Sequence, residues 1–212
     1  MRKLSKPCFD GLPMHKEFSC GCDHEPERPH TSGQECGCVS ENKTPRILSH
    51  EEAVQACCFL FELNTRQEDI VEMVQRAGIP LDTSSDEIRD RVFEEWYGFV
   101  HAAVVYALMA NAPNEVMAEY LRSTRQLLAN VAGYSQDRIE SFIDNTFSGY
   151  LRLMARNQQK QCPQRFFQRV LGETDITALP PERVAFLSGM MAITMCAILD
   201  KLEKIQLVDD NS

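Results

Sequence analysis

Four cysteines near the start of the chain have the clearest chemical pattern in this sequence. Cys20 and Cys22 flank one glycine, and Cys36 and Cys38 flank another. Zinc binds four thiolates in a tetrahedron, and the glycine inside each pair lets the backbone turn both sulfur atoms toward one ion. The pattern therefore predicts a zinc site. Three spare ligands lie nearby, namely Cys8, His24 and His30.

Two other interpretations of these cysteines stay open. Cys-x-Cys loops also occur in redox-active and copper-binding sites, so the thiols could respond to oxidants instead. Alternatively, they have no shared role in a segment that is too polar to fold alone. The chain contains nine cysteines, an odd number that argues against a complete disulfide framework and favours a reducing, cytoplasmic compartment.

A histidine inside a long apolar stretch is the second candidate. His101 follows Glu94 and Trp96 in a segment with helical periodicity, so these three side chains could line an enzyme or ligand-sensor site in a helical bundle. Di-metal sites in bundles need a Glu-x-x-His pair from each of two helices, and neither Glu94 nor Glu95 has this spacing to His101. A core histidine with a hydrogen-bond partner is the favoured interpretation.

The third candidate is a basic stripe between residues 145 and 172, where the chain has no acidic residue. The basic stripe consists of Arg152, Arg156, Lys160, Arg165 and Arg169. Its first three members share one helix face, and Phe166 and Phe167 lie among the others, a pattern that could bind an anion or single-stranded nucleic acid. Segment 49–95 carries twelve acidic and four basic side chains, a net charge of −8, so pairing with that segment is the favoured alternative.

The other sulfur-bearing side chains have simpler explanations. Cys57 and Cys58 lie on an apolar helix face and are predicted to be small core residues. Packing is also expected of Met190, Met191, Met195 and Cys196. Cys162 precedes Pro163 at a predicted helix start, where the pKa of a thiol is lowered, and it is therefore a candidate reactive thiol.

The elements that would position these residues are helices. Ser49, Thr65 and Ser84 each precede a glutamate by three residues, which predicts three capping boxes at helix starts. Pro163 and Pro181 are predicted to lie in the first turns of two further helices. The seven predicted helices begin near residues 50, 66, 85, 114, 136, 163 and 182. Sustained period-two alternation is absent from the sequence, so no sheet is predicted.

These helices predict an all-α fold, a roughly seven-helix antiparallel bundle over residues 49–212 that follows an irregular cysteine-rich segment over residues 1–48. The seventh helix has no charged side chain from Val184 to Leu199. We therefore expect it to be buried on all sides, either by the other helices or by a second copy in a homodimer. The run falls short of the roughly 18 to 20 residues that span a bilayer, so no membrane segment is predicted.

The composition and the absence of known motifs disfavour several classes of function. The net charge of −9 argues against nucleic acid as the main partner. The sequence has no glycine-rich phosphate loop, GxSxG or HExxH motif, which disfavours an enzyme. The leading hypothesis is a cytoplasmic protein that acts through protein–protein contact or self-association, with a zinc-binding or redox-responsive N-terminal segment. The alternatives are an enzyme or ligand sensor near His101, and a nucleic-acid- or anion-binding regulator that uses the basic stripe.

Overall fold

The structure is a computed structural model that describes residues 46–79, 81, 86–130, 132–172 and 179–207. This part of the chain contains eight α-helices. They are α1 (His50–Asn64), α2 (Gln67–Arg76), α3 (Asp86–Asn111), α4 (Asn114–Asn130), α5 (Gln136–Ser141), α6 (Ser148–Ala155), α7 (Cys162–Leu171) and α8 (Pro181–Glu203). A π-helical turn (Phe142–Phe147) joins α5 to α6 without a break, so the eight helices form seven continuous rods. The predicted all-α bundle is confirmed.

Two short strands correct the prediction that the chain has no sheet. β1 (Arg46–Leu48) pairs in parallel with β2 (Ile205–Leu207). The last helix therefore ends at Glu203, and not at Leu207 as its apolar pattern predicted. A strand of three residues is too short to show alternation, and these two strands lie at opposite ends of the described chain, so no local pattern indicates them.

The helix caps agree with the sequence-based predictions at most of the described positions and disagree at one. Ser49 Oγ accepts a hydrogen bond from the Glu52 N–H, and Glu52 Oε2 accepts one from the Ser49 N–H, so the first capping box is confirmed. The second box is wrong, because Thr65 Oγ1 donates to the Phe61 carbonyl at the end of α1 and α2 has no side-chain cap. Ser84 lies outside the described residues. Both α7 and α8 have a proline in their first turn, as predicted.

α3 is the central helix of the bundle. It packs against α1, α2, α4, α6, α7, α8 and the π turn. Every residue from Glu95 to Leu108 on α3 is buried, including the two polar residues Glu95 and His101. A helix that is covered on all sides must give each of its polar groups a partner inside the protein. α3 therefore carries the buried carboxylate and the buried imidazole of the described chain.

The other described helices do not enclose α8, and this corrects the first of the two arrangements predicted for it. One face, which includes Leu187, Met191 and Ile198, packs against α2, α3 and α7. The opposite face is open, and Ile193 at its middle is 65% exposed. Because α3 occupies the centre of the bundle, α8 lies at the periphery, where its neighbours in the described chain cover one side of it.

Candidate functional sites

The basic stripe divides into an inner and an outer part. In the inner part, Arg169 on α7 donates from Nε to Oε1 of Glu95 on α3, at 2.9 Å. Burial raises the pKa of the Glu95 carboxyl, and the hydrogen bond from Arg169 opposes that rise. Glu95 belongs to the acidic segment 49–95, so the predicted pairing of the two charged regions is observed at this position.

Arg165 also belongs to the inner part, and its guanidinium is held from several sides. Its Nη2 donates to the carbonyl of Asn145 in the π turn at 2.7 Å, and its Cζ lies 5.1 Å from the centroid of the Tyr150 ring. Gly149 makes room for this arrangement, because a Cβ at that position would overlap the guanidinium. Arg165 Nε is buried without a hydrogen-bond partner among the described residues. The side chain is thus fixed in place and keeps one unsatisfied donor.

Arg152, Arg156 and Lys160 form the outer part of the stripe and are exposed. The prediction that they share one helix face is wrong, because α6 ends at Ala155 and Lys160 lies in a separate 3₁₀ turn (Gln159–Gln161). Neither Arg152 nor Arg156 has a carboxylate partner within the ranges that the structure defines. Both line a surface cavity of about 300 Å³ together with Arg165. The other residues that line the cavity are Gly149, Leu153, Gln158, Gln161, Gln164 and Gln168. For Arg152 and Arg156, the predicted pairing with the acidic segment is not observed.

The glutamines of this cavity were missed by the sequence analysis. Five of the eleven residues from 158 to 168 are glutamine, a density that could have drawn attention to the segment. Gln161, Gln164 and Gln168 are spaced by three and four residues, so they share one helix face. Their amides bring both hydrogen-bond donors and acceptors to a cavity whose charged side chains are all arginines.

The aromatic residues within the basic stripe do not face a ligand. Phe166 and Phe167 are 0% and 1% exposed, and Phe166 packs against the Trp96 ring. Proteins that hold single-stranded nucleic acid by stacking need accessible ring faces. The interpretation of these two rings as a stacking surface is therefore wrong, and their contribution is to the core.

His101 is a core histidine, as the sequence analysis favoured. It is 2% exposed, and its Nδ1 lies 3.0 Å from the Tyr120 hydroxyl, with which it shares a hydrogen bond. The rings of Phe147 and Phe61 pack around it, with centroids 4.4 and 5.9 Å away. Burial lowers the pKa of His101 to about 3, so its imidazole is neutral at physiological pH.

Glu94 and Trp96 do not converge on His101 to form the bundle site considered above. Glu94 Oε2 lies 3.4 Å from Arg138 Nη2, in a partly exposed ion pair. Trp96 Nε1 donates to the Asn64 carbonyl at the end of α1, at 2.8 Å. Each of the three side chains therefore has its own structural partner.

The candidate reactive thiol is corrected by the structure. Cys162 does begin α7, but it is 1% exposed, and burial raises the pKa of its thiol to about 12. This is the opposite of the lowering expected at an open helix N-terminus, because desolvation disfavours the thiolate. Burial also raises the pKa of Cys57 to about 12, and Cys57 is a core residue, as predicted. Met191 and Met195 are buried packing residues, whereas Cys196 is exposed.

The outer face of α8 is an uncharged helix surface that is partly exposed. It consists of Ala185, Phe186, Gly189, Ile193 and Cys196. Ala185, Ile193 and Cys196 are exposed, and the other two are half-buried. Two exposed acidic residues, Glu182 and Asp200, mark its ends.

α8 is also the one helix in the described ranges that is long and apolar enough to cross a membrane. Its most apolar window has a mean hydropathy of 1.5, and 28% of that window is buried inside the molecule. Core helices of water-soluble proteins meet the same criterion of length and composition, so the criterion assigns no location by itself.

The predicted zinc ligands lie outside the described residues. These are Cys20, Cys22, Cys36 and Cys38, with the spare ligands Cys8, His24 and His30. In the part of the chain that the structure does describe, no cluster of three or more His, Cys, Asp or Glu side chains could hold a metal ion.

Comparison with known proteins gives no family assignment. No protein-family model matches the chain, and none of the curated proteins or solved structures matches it significantly. Functional inference therefore depends on the residues and the geometry described above.

Proposed function

We propose that this protein acts by associating with a second copy of itself through the outer face of α8. The observation that carries the proposal is the absence of charge on an exposed helix face. From Val184 to Leu199 the chain has no charged side chain, yet α8 buries one side against its neighbours in the described chain. Contiguous apolar surface exposed on a protein is typical of an interaction site.

The shape of this face supports a second copy of the same chain as the partner. Large and small residues alternate along it, and no atom of the described chain lies within 4 Å of a Cβ built at Gly189. If two α8 helices pair antiparallel about a two-fold axis that crosses the outer face at the height of residue 191, Ile193 of one copy lies opposite Gly189 of the other. Phe186 then lies opposite Cys196. Each large side chain meets a small one, which is the self-complementarity that an isologous interface requires.

The charges at the ends of the face argue against an anionic membrane as the partner. Glu182 and Asp200 are both exposed at its limits, where phospholipid headgroups would lie, and neither would be attracted to them. The inner face of α8 contributes Leu187, Met191 and Ile198 to the core, so α8 cannot leave the bundle without exposing it. A protein partner can cover the outer face of α8 while the inner face stays packed in the bundle.

Analytical ultracentrifugation over a concentration series tests this proposal. We expect a monomer–dimer equilibrium for the wild-type protein and a monomer for Ile193→Glu, because a charge at the centre of the interface would be desolvated. Phe59→Glu is the matched control, since Phe59 on α1 is 62% exposed and lies outside α8. A wild-type protein that is monomeric at all concentrations, or dissociation by Phe59→Glu and not by Ile193→Glu, would disprove the proposal.

A second candidate function comes from the N-terminal cysteines. We propose that the two Cys-Gly-Cys pairs bind one zinc ion in the reduced cytoplasmic protein, and the matched spacing of the pairs supports this. Native mass spectrometry of the full chain should show one zinc ion per monomer, and Cys20→Ser with Cys36→Ser should remove it. If the metal-free mass predominates after purification with zinc in the medium, oxidation of the same thiols becomes the better hypothesis.

A further inference from the structure

We propose that the cavity beside α6 and α7 binds a small phosphorylated ligand through Arg152, Arg156 and Arg165. This site is separate from the self-association proposed for α8, so the two proposals can fail independently. Three arginines line the cavity, and no carboxylate does. Guanidinium groups bind phosphate oxygens in paired, charge-assisted hydrogen bonds, which makes phosphate the ligand chemistry that this lining favours.

Arg152 and Arg156 form no ion pair with a carboxylate of the described residues. Arg152 lies in the last turn of α6 and Arg156 is the C-terminal cap of this helix, so two like charges lie close together. No acidic residue occurs between residues 145 and 172 to offset that repulsion locally. A bound dianion would neutralise both side chains, which accounts for their placement at the mouth of one cavity.

Arg165 gives the cavity a fixed donor that exposed arginines alone would lack. The Asn145 carbonyl and the Tyr150 ring hold its guanidinium, and Gly149 leaves the space that it occupies. Its Nε is buried with no hydrogen-bond partner among the described residues, and such a donor is costly to leave unsatisfied. Because Nε is buried, it does not open into the cavity, and a ligand would be held by the part of the Arg165 guanidinium that lines it.

The volume of the cavity and its glutamine side chains indicate what the ligand contains besides phosphate. At about 300 Å³ the cavity matches the lower end of the range for small-molecule sites, roughly 300–1,000 Å³. Gln158, Gln161 and Gln164 supply amide donors and acceptors, which suit hydroxyl groups. A nucleic acid strand is disfavoured because Phe166 and Phe167 are buried and the whole chain is acidic. The ligand class is therefore a phosphate ester of a small hydroxylated molecule.

Isothermal titration calorimetry with three probes tests the site. We expect a hexose monophosphate to bind, inorganic phosphate to bind more weakly, and the unphosphorylated hexose not to bind. Arg152→Gln combined with Arg156→Gln should weaken the hexose monophosphate at least about tenfold, since each lost charge-assisted contact contributes about 1.5 kcal/mol or more. Arg125→Gln is the matched control, because Arg125 is an exposed arginine on α4 outside the cavity. It should leave the affinity within about twofold, the change expected for a remote surface charge.

Gly149→Ala separates a built site from a diffuse positive surface. This change keeps every charge but forces the Arg165 guanidinium out of its position, so we expect the affinity for the hexose monophosphate to fall several-fold. Equal losses in the cavity variants and in Arg125→Gln would show a diffuse effect and overturn the proposal. Absence of binding by either phosphate compound at millimolar concentration would overturn it too. If a single-stranded oligonucleotide bound instead, and this binding were lost in the Arg152→Gln/Arg156→Gln variant, the ligand would be a nucleic acid and the proposal of a small phosphate ester would be overturned.

Discussion

α3 and α8 are two long apolar helices that the fold treats differently. α3 is covered on all sides, although it carries Glu95 and His101 within its buried stretch, and the fold provides each of them with a partner. α8 carries no charged side chain between Val184 and Leu199, yet its outer face is open in the described structure. Apolar composition therefore does not indicate which helix is central. The outer face of α8 is a surface that the described part of the chain leaves uncovered.

The largest expected loss of stability comes from a substitution that leaves a cavity beside α3. Phe99 is 1% exposed, and its ring centroid lies 5.4 Å from that of Trp96 and 5.9 Å from that of Tyr150. Phe99→Ala should lower the free energy of unfolding by about 3–5 kcal/mol, measured by urea denaturation, because the packed surroundings cannot fill the space. A loss below about 1 kcal/mol would mean that α3 is not the packed centre of the bundle.

Removal of the partner of Glu95 should have the next largest effect. Arg169→Ala removes the ion-pair partner of a buried carboxylate and should cost about 2–3 kcal/mol at neutral pH. The Glu95 pKa is already raised by burial and would rise further, so this cost should shrink as the pH falls and Glu95 takes up a proton, and should grow as the pH increases. Arg138→Ala is the control, because the Glu94–Arg138 pair is partly exposed and such pairs contribute at most about 1 kcal/mol. Equal losses in the two variants would contradict the burial of Glu95.

The buried histidine of α3 should make the protein sensitive to acid. The pKa of His101 is about 3 in the folded protein, whereas an unfolded chain takes up the proton near pH 6.5. Stability should therefore fall as the pH drops below 6.5, by about 2 kcal/mol between pH 7 and pH 5. His101→Gln, which can still hydrogen-bond to Tyr120, should remove this part of the pH dependence in urea titrations. An unchanged slope in the variant would show that the pKa of His101 is the same in the folded and unfolded proteins.

The smallest effect is expected on the outer face of α8. Ile193→Ala should change the free energy of unfolding of the monomer by no more than about 0.5 kcal/mol, because the side chain is 65% exposed. Urea denaturation at low protein concentration, where association is negligible, measures this value. A loss above 1 kcal/mol would place Ile193 in the core and remove the contrast between the two helices.

The helices could be predicted from the sequence because their signals are local. The Ser49 capping box and the prolines of α7 and α8 act within one turn, so their effect is visible in a few neighbouring residues. Thr65 has the same local pattern as Ser49 but serves the end of α1 instead, since its hydroxyl reaches the Phe61 carbonyl. A short motif thus specifies a helix boundary better than it specifies which side of the boundary it caps.

The candidate sites could be predicted only in part because they depend on contacts across the chain. The partner of Arg169 is 74 residues away, and nothing near Arg169 in the sequence distinguishes it from Arg152, which has no carboxylate partner in the described structure. Likewise, the pKa of Cys162 is set by the burial of its side chain and not by its position at a helix start. The open face of α8 results from the position of α3, which no property of the α8 sequence encodes.

The most direct test of the central claim is the labelling rate of Cys196 with a maleimide at increasing protein concentration, followed by peptide mass spectrometry. Cys196 is exposed on the outer face of α8, whereas Cys57 and Cys162 are buried and should stay unlabelled as internal references. If a second copy covers this face, the rate should fall at least about tenfold as the dimer forms, and Ile193→Glu should restore it. A rate that stays constant while the protein associates would show that another surface forms the dimer, and a rate that is slow at every concentration would show that this chain covers the face itself.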